Sequence, residues 1–215
     1  NTLEYNDVSL YGIGDRLINK NNLVSYNVVN LYGSGERVMV DTIGVDVGSN
    51  SYLADTIWIH GRNSGIRNKS NTHMVIMDGE NNYIKDLHQV DYVYVNEPVG
   101  TIEGNNYVMY CQFNEDGNIE GQNVFDTLYL YPGEGNFQNL GNKFTFDADS
   151  TQLVNSYLYV RGNQCSNVTL RSKNPSKLAY IEVVDMLEDV VSDYLYIINV
   201  GGISDDIEFY AGVNS

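Results

Sequence analysis

Two short stretches decide the fold: DTIWIHG at residues 55–61 and DTLYLYPG at residues 126–133. In both, large aliphatic residues alternate with an aromatic residue, which is Trp58 in the first stretch and Tyr129 in the second. Alternation with a period of two is typical of a β-strand that buries one face. Because the same phrase occurs at two distant places, it indicates an internal repeat.

A search for apolar-x-apolar trios flanked by polar or turn residues finds seven copies. They begin at Val8, Val29, Ile57, Val93, Leu128, Leu158 and Leu195. A second strand-like segment follows most copies, and a recurring unit of roughly 20–50 residues without its own core is a mark of stacked repeats. We therefore predict one all-β domain over residues 1–215, a parallel β-helix (solenoid) of about seven irregular coils, in which both apolar residues of each trio point inward.

Composition supports a turn-rich β protein, since the 215 residues include 28 Asn, 20 Gly and 18 Tyr. Asn and Gly favour turns, and Tyr favours strands. The alternative fold is an antiparallel β-sandwich or jelly roll. It is favoured by Asp78-Gly79 and Asp116-Gly117, which lie between strand-like runs and are strong hairpin signals.

The charge balance excludes some partners. The formal net charge is −16 with only 12 Lys and Arg, so binding to nucleic acid or to an anionic membrane surface is disfavoured. No apolar run is long enough for a membrane-spanning helix, so we expect no membrane insertion. Because the first residue is Asn1, we expect a processed or excised product. Cys111 and Cys165 are expected to be buried free thiols, although one disulfide is possible.

The pattern of trios and turns resembles the right-handed parallel β-helix superfamily, which includes phage tailspikes and pectate-lyase-like enzymes. The resemblance covers most of the chain at the level of the fold. It implies a surface, virion or polysaccharide-related role and, if the tailspike likeness holds, a trimer. It transfers no catalytic residue.

The middle residue of each trio is predicted to point outward, and in five copies it is aromatic. If the coils stack in register, these residues form an aromatic wall, flanked by further tyrosines just before the trios. Such rings could contact a sister subunit, stack on sugar rings or simply stack on one another. The candidate contact residues are Trp58, Tyr94, Tyr129, Tyr159 and Tyr196, with Tyr92, Tyr157 and Tyr194 beside them.

Signals for catalysis or metal binding are weak. Asp147 with Asp149, and Asp205 with Asp206, are the densest carboxylate pairs that a glycosidase could use. A partial calcium loop runs through Asn114, Asp116 and Asn118, but Gln112 holds its first ligand position and Asn123 its last. The three histidines lack metal-ligand spacing, and we expect no cofactor.

These observations predict a non-enzymatic structural or attachment protein. We expect it outside the cytoplasm, on a virion (phage tailspike, fibre or capsid decoration) or as a bacterial surface or filament subunit, in a homo-oligomer or larger assembly. The alternatives are a carbohydrate-binding module with a glycan receptor and a polysaccharide-degrading β-helix enzyme.

Overall fold

A computed structural model gives the fold. It describes residues 3–20, 24–41, 52–67, 71–87, 89–96, 98–131, 141–162, 166–184, 190–192, 194–203 and 209–211. Within these ranges the regular structure consists of β-strands. No helix in the described part of the chain is long and apolar enough to span a membrane.

The first sheet contains ten strands in the order β1-β3-β5-β7-β9-β11-β13-β15-β17-β20. Their bounds are Leu3–Leu10 (β1), Val24–Leu31 (β3), Tyr52–Ile59 (β5), Asn71–Met77 (β7), Gln89–Val95 (β9), Tyr107–Phe113 (β11), Val124–Leu130 (β13), Thr151–Val160 (β15), Ala179–Val183 (β17) and Val200–Ile203 (β20).

The second sheet contains nine strands in the order β19-β16-β14-β12-β10-β8-β6-β4-β2. Their bounds are Arg16–Lys20 (β2), Arg37–Asp41 (β4), Gly65–Arg67 (β6), Tyr83–Lys85 (β8), Gly100–Gly104 (β10), Gly117–Gly121 (β12), Asn142–Phe146 (β14), Val168–Ser172 (β16) and Leu195–Ile198 (β19). A small third sheet pairs Val190–Ser192 (β18) with Phe209–Ala211 (β21).

The chain alternates between the two large sheets, and every strand pair among the described residues is parallel. Each pass through both sheets makes one coil, and the next coil pairs with it in register. This confirms an all-β, stacked parallel architecture consistent with a parallel β-helix. The antiparallel sandwich is not supported.

The number of seven coils is not confirmed, because the described part of the first sheet already contains ten strands. Two of them, β7 and β11, are second strand-like segments that follow predicted copies of the trio, and they were expected to complete a coil. They instead extend the same column of inward side chains: Val75 pairs with Val93, and Val93 with Cys111. The seventh trio, at Leu195, lies in the second sheet.

Aliphatic and aromatic side chains from the two sheets fill the space between them. Ile57 and Ile59 of the opening stretch are fully buried, as are Leu128 and Leu130 of its repeat. The alternation therefore predicted the inward residues of both stretches correctly. Cys111 lies in the same core as a free thiol, and burial raises its pKa well above the usual value, so it acts as a small apolar residue. Cys165 lies outside the described residues.

The Asp-Gly pairs lie where the chain passes from the first sheet to the second, and they do not form hairpins. Asp78 and Gly79 follow β7 in the turn that leads to the second sheet, where both backbone N–H groups donate to the carbonyl of Ile59 in the preceding coil. A Cβ on Gly79 would lie 1.9 Å from the carbonyl oxygen of Gly61. Glycine is therefore required here because successive turns pack backbone on backbone.

Buried amide side chains form a second kind of ladder, at the turns that lead back to the first sheet. Asn106, Asn123 and Gln152 stack in three successive coils. The Nδ2 of Asn106 donates to Oδ1 of Asn123 at 2.6 Å, and the Nδ2 of Asn123 donates to Oε1 of Gln152 at 2.9 Å. The same amides also satisfy buried backbone groups, so each turn is hydrogen-bonded to the next.

Replacement of Asn123 tests this ladder. In Asn123→Leu, the backbone N–H and the amide of Asn106 lose their acceptor, and the carbonyl of Glu120 loses a donor. We expect the free energy of unfolding to fall by about 3 kcal/mol, because buried polar groups left without partners cost about 1–3 kcal/mol each. Urea denaturation measures the change.

The matched control is Asn118→Leu, an amide on the outer face of β12 that, within the described ranges, donates to the hydroxyl of Thr101 at 3.3 Å. A change of about 0.5 kcal/mol or less is expected there, as for most surface substitutions. Equal losses in the two variants would show that the buried ladder has no special role.

Candidate functional site: an outer aromatic face

The outer face of the first sheet carries a continuous set of tyrosines. Side chains at alternate strand positions point away from the core, and parallel pairing places equivalent positions of successive coils about 4.8 Å apart. Seven of these residues form what we call the tyrosine belt. Its members are Tyr92, Tyr94, Tyr110, Tyr129, Tyr131, Tyr157 and Tyr159.

Ring contacts connect the whole belt, with Tyr110 and Tyr129 at its centre. Their ring centroids lie 5.3 Å apart. On one side Tyr110 contacts Tyr94 at 5.8 Å, and on the other Tyr129 contacts Tyr159 at 5.2 Å and Tyr157 at 5.7 Å. Most of these pairs are tilted, as aromatic rings prefer. The belt is thus a single packed surface rather than a set of separate rings.

A second aromatic group lies nearer the N-terminal end of the same face. The rings of Tyr11, Tyr32 and His60 stack nearly parallel, with successive centroids 4.9 and 4.7 Å apart. Trp58 stacks on His60 at 4.8 Å and donates its indole N–H to Asp78. The single tryptophan of the chain is therefore held in place on two sides.

A row of polar side chains joins these two aromatic groups. Asn96 donates to Asp78 at 2.8 Å, and Asn114 donates to Asn96 at 2.8 Å. Gln112 then donates to Asn114, and the hydroxyl of Tyr110 donates to Gln112, both at 2.7 Å. The row brings amide and carboxylate groups next to aromatic rings along the coil axis.

The centre of the belt stays uncharged at neutral pH. Burial raises the pKa of Tyr110, and the neighbouring phenols of Tyr129 and Tyr94 raise it further. Burial likewise raises the pKa of Tyr129, with contributions from Tyr157 and Tyr159. The belt therefore presents neutral rings and hydroxyl groups on a protein whose formal net charge is −16.

Six of the eight predicted contact residues lie on this face: the five tyrosines Tyr92, Tyr94, Tyr129, Tyr157 and Tyr159 belong to the belt, and Trp58 belongs to the second aromatic group. Tyr196 does not, because it lies in β19 of the second sheet and pairs with Thr169. Tyr194 lies in the turn before β19 with a φ of 56°. The trio at Leu195 has the same alternation as the others, and alternation alone does not distinguish the two sheets.

Two belt residues, Tyr131 and Tyr110, are absent from the predicted set, and Tyr110 was missed because its strand was not recognised as a copy of the trio. It precedes the trio Cys111-Gln112-Phe113 as Tyr92 precedes its own trio, and the two tyrosines are register partners. A search that accepted Cys and Phe as the inward pair would have found it.

The weak metal and carboxylate candidates each take part in separate interactions. Asn114 belongs to the polar row, whereas Asp116 accepts the backbone N–H of Lys143 at 2.8 Å and Asn118 donates to Thr101. No group of three or more His, Cys, Asp or Glu in the described ranges could hold a metal ion.

Of the carboxylate pairs, Asp149 is exposed and forms an ion pair with Lys177. The carbonyl of Asp147 accepts a hydrogen bond from the Ser150 hydroxyl at 2.7 Å, which helps to fix the turn after β14. Asp205 and Asp206 lie outside the described residues.

Comparisons with family models, curated proteins and solved structures found no match for this chain. The likeness to the parallel β-helix superfamily therefore rests on the architecture alone.

The raised pKa values of Tyr110 and Tyr129 predict how stability depends on pH. Because the folded protein holds these phenolic protons more tightly than the unfolded chain, their contribution is complete below about pH 10. It is lost as the pH rises through the higher pKa values of the folded state. We expect stability to fall above about pH 10, and to fall less steeply in Tyr129→Phe.

Urea unfolding at a series of pH values measures this dependence, and the ultraviolet absorbance of tyrosinate follows the ionisation directly. Protein held in urea provides the reference, with all tyrosines ionising near the usual value of about 10. If folded and unfolded protein ionise over the same pH range, the belt is not desolvated as described.

Proposed function

We propose that this chain is a non-enzymatic structural or attachment protein whose tyrosine belt makes multivalent contact with further copies of the chain. The stacked coils act as a rigid spacer. The proposed setting is outside the cytoplasm, on a virion or a bacterial surface, where the solenoid forms a homo-oligomer.

The observation that carries this proposal is the connected belt of seven rings on one sheet. Tyr92 and Tyr157 remain 39% and 42% exposed, so the belt is accessible as well as packed. Tyrosine provides large contact area with few rotatable bonds and a polar tip, and it is enriched at the energetic centres of interfaces. Because strand pairing and ring contacts hold the tyrosines in place before binding, little conformational entropy is lost when the belt makes contact.

Charge favours the belt as the place where copies meet. Two molecules that each carry a formal net charge of −16 repel one another over most of their surface. The belt consists of neutral phenols, so two copies that approach belt to belt avoid close contact between carboxylates.

A glycan receptor is the second candidate, and the polar row supports it. Gln112, Asn114, Asn96 and Asp78 place hydrogen-bonding groups beside the belt and Trp58. Sugar recognition uses such a combination, because apolar ring faces stack while hydroxyl groups bond to planar polar side chains.

Mass and shape in solution test the assembly directly. We expect light scattering and small-angle X-ray scattering to show an elongated oligomer for the native chain. The double variant Tyr157→Ala and Tyr159→Ala should weaken association at least tenfold, because it removes one end of the belt. Tyr83→Ala, a tyrosine on the outer face of the second sheet, is the matched control and should leave association unchanged.

A native chain that is monomeric at all concentrations would contradict assembly through the belt. Glycan arrays would then decide between receptor binding and no contact function. Binding without turnover that is lost in Trp58→Ala and in Tyr129→Ala would support the glycan receptor.

A further inference from the structure

Three arginines lie together at the N-terminal end of the second sheet, on the face opposite the core. Arg16 begins β2, Arg37 begins β4 and Arg67 ends β6. Arg16 and Arg37 are direct register partners, so their backbones are about 4.8 Å apart and their side chains leave the same face. Arg37 pairs with Gly65, which places Arg67 two residues farther along the adjacent strand.

Among the described residues, no carboxylate forms an ion pair with this cluster. The ion pairs of Lys and Arg in the described part of the chain involve Arg62, Lys85, Lys173 and Lys177, and none involves the three arginines. Like charges directly opposed on neighbouring strands are unfavourable, and acidic residues outnumber basic ones by 28 to 12 in this chain. A chain with so many carboxylates could have supplied a partner, yet none of the described carboxylates pairs with the cluster.

The guanidinium groups also contain unsatisfied donors. The Nε atoms of Arg37 and Arg67 are shielded from solvent and have no hydrogen-bond partner. Buried donors without an acceptor are rare in folded proteins and call for an explanation. An oxyanion seated between the arginines would accept from these atoms, since the planar fork of guanidinium matches the oxygens of phosphate, sulfate or carboxylate.

Gly65 and Tyr83 complete the site. Gly65, with no side chain, allows the Tyr83 ring to pack over its backbone, since a Cβ there would lie 2.8 Å from that ring. The guanidinium of Arg67 lies 6.0 Å from the Tyr83 ring centroid, and its Nη2 is 3.5 Å from the Tyr83 hydroxyl. The tyrosine therefore orients Arg67 and offers a further hydroxyl donor.

The positive region ends at Lys85. Lys85 is the register partner of Arg67, but its ammonium group forms an ion pair with Glu103 in the next coil. Glu120 follows Glu103 in the same column and pairs with Lys173 at 2.8 Å. The uncompensated charge is therefore confined to the first three strands of the sheet.

We propose that Arg16, Arg37 and Arg67, together with Tyr83, form a binding site for a tetrahedral oxyanion, a phosphate or sulfate group that is either free or carried on a polymer. Three neighbouring cations favour a dianion over a single carboxylate. The site lies on the second sheet, apart from the tyrosine belt, and does not depend on the function proposed for the belt.

Calorimetric titration of the full chain with sodium sulfate and with sodium phosphate tests the site, at an ionic strength held constant with sodium chloride. We expect saturable binding of both anions and at least tenfold weaker binding of acetate. Arg37→Gln and Arg16→Gln should each weaken sulfate binding at least tenfold. Arg16 lies in the outermost described strand of its sheet, so its replacement is expected to leave folding intact, and circular dichroism checks this.

Arg62→Gln is the matched control, since Arg62 is exposed, forms a pair with Glu80 at 3.4 Å and lies outside the cluster. It should bind sulfate as the native chain does. A sulfated polysaccharide that binds more than tenfold tighter than inorganic sulfate, with the same loss in Arg16→Gln, would support the site and identify a polymer as its ligand. Equal affinities would support the site with a free anion. No saturable binding, or binding unaffected by Arg16→Gln and Arg37→Gln, would overturn the proposal.

Discussion

The parallel pairing of each coil with the next is the constraint on which the rest of the structure depends. Once two coils are in register, every position along one has a neighbour about 4.8 Å away in the other. Apolar positions then stack into one core, as Val75, Val93 and Cys111 do. Amides stack where the chain turns, and there the alignment allows Asn106, Asn123 and Gln152 to bond to one another.

The same register determines the surface. A residue type that recurs at one outward position becomes a column, whatever its chemistry. On the first sheet this gives a neutral tyrosine belt, and on the second it pairs Arg16 with Arg37 and, in a neighbouring column, Arg67 with Lys85. The two faces of one solenoid therefore differ in surface chemistry, although neither face contains a long segment of distinctive sequence.

Sequence periodicity predicted the inward residues and the parallel stack because each depends on a local pattern. Ile57 and Ile59 could be assigned from three consecutive residues. The number of coils could not, since Val75-Ile76-Met77 of β7 is apolar throughout and shows no alternation. The residues of a trio also do not indicate which sheet it belongs to. Tyr196 was therefore predicted to lie with the other outward aromatic residues. Both sheets bury alternate residues in the same way.

The arginine cluster was beyond sequence reasoning for a different reason. Arg16, Arg37 and Arg67 are far apart in the chain, and irregular turns between them hide that Arg16 pairs with Arg37 and that Arg67 lies in the adjacent strand. Only the register of the folded coils brings them together. Tyr110 is an intermediate case, since its local pattern was present but its trio contains Cys and Phe in place of the usual aliphatic residues.

Cross-linking by register tests the central claim most directly. Thr101 and Asn118 are Cα partners on the outer face of β10 and β12, at a spacing that suits a disulfide. The double variant Thr101→Cys and Asn118→Cys should form this bridge nearly completely on mild oxidation, as peptide mapping by mass spectrometry would show. The off-register pair Thr101→Cys and Glu120→Cys should form little. If the off-register pair bridges as readily as the first, the coils do not stack in the register on which the belt and the arginine cluster both depend.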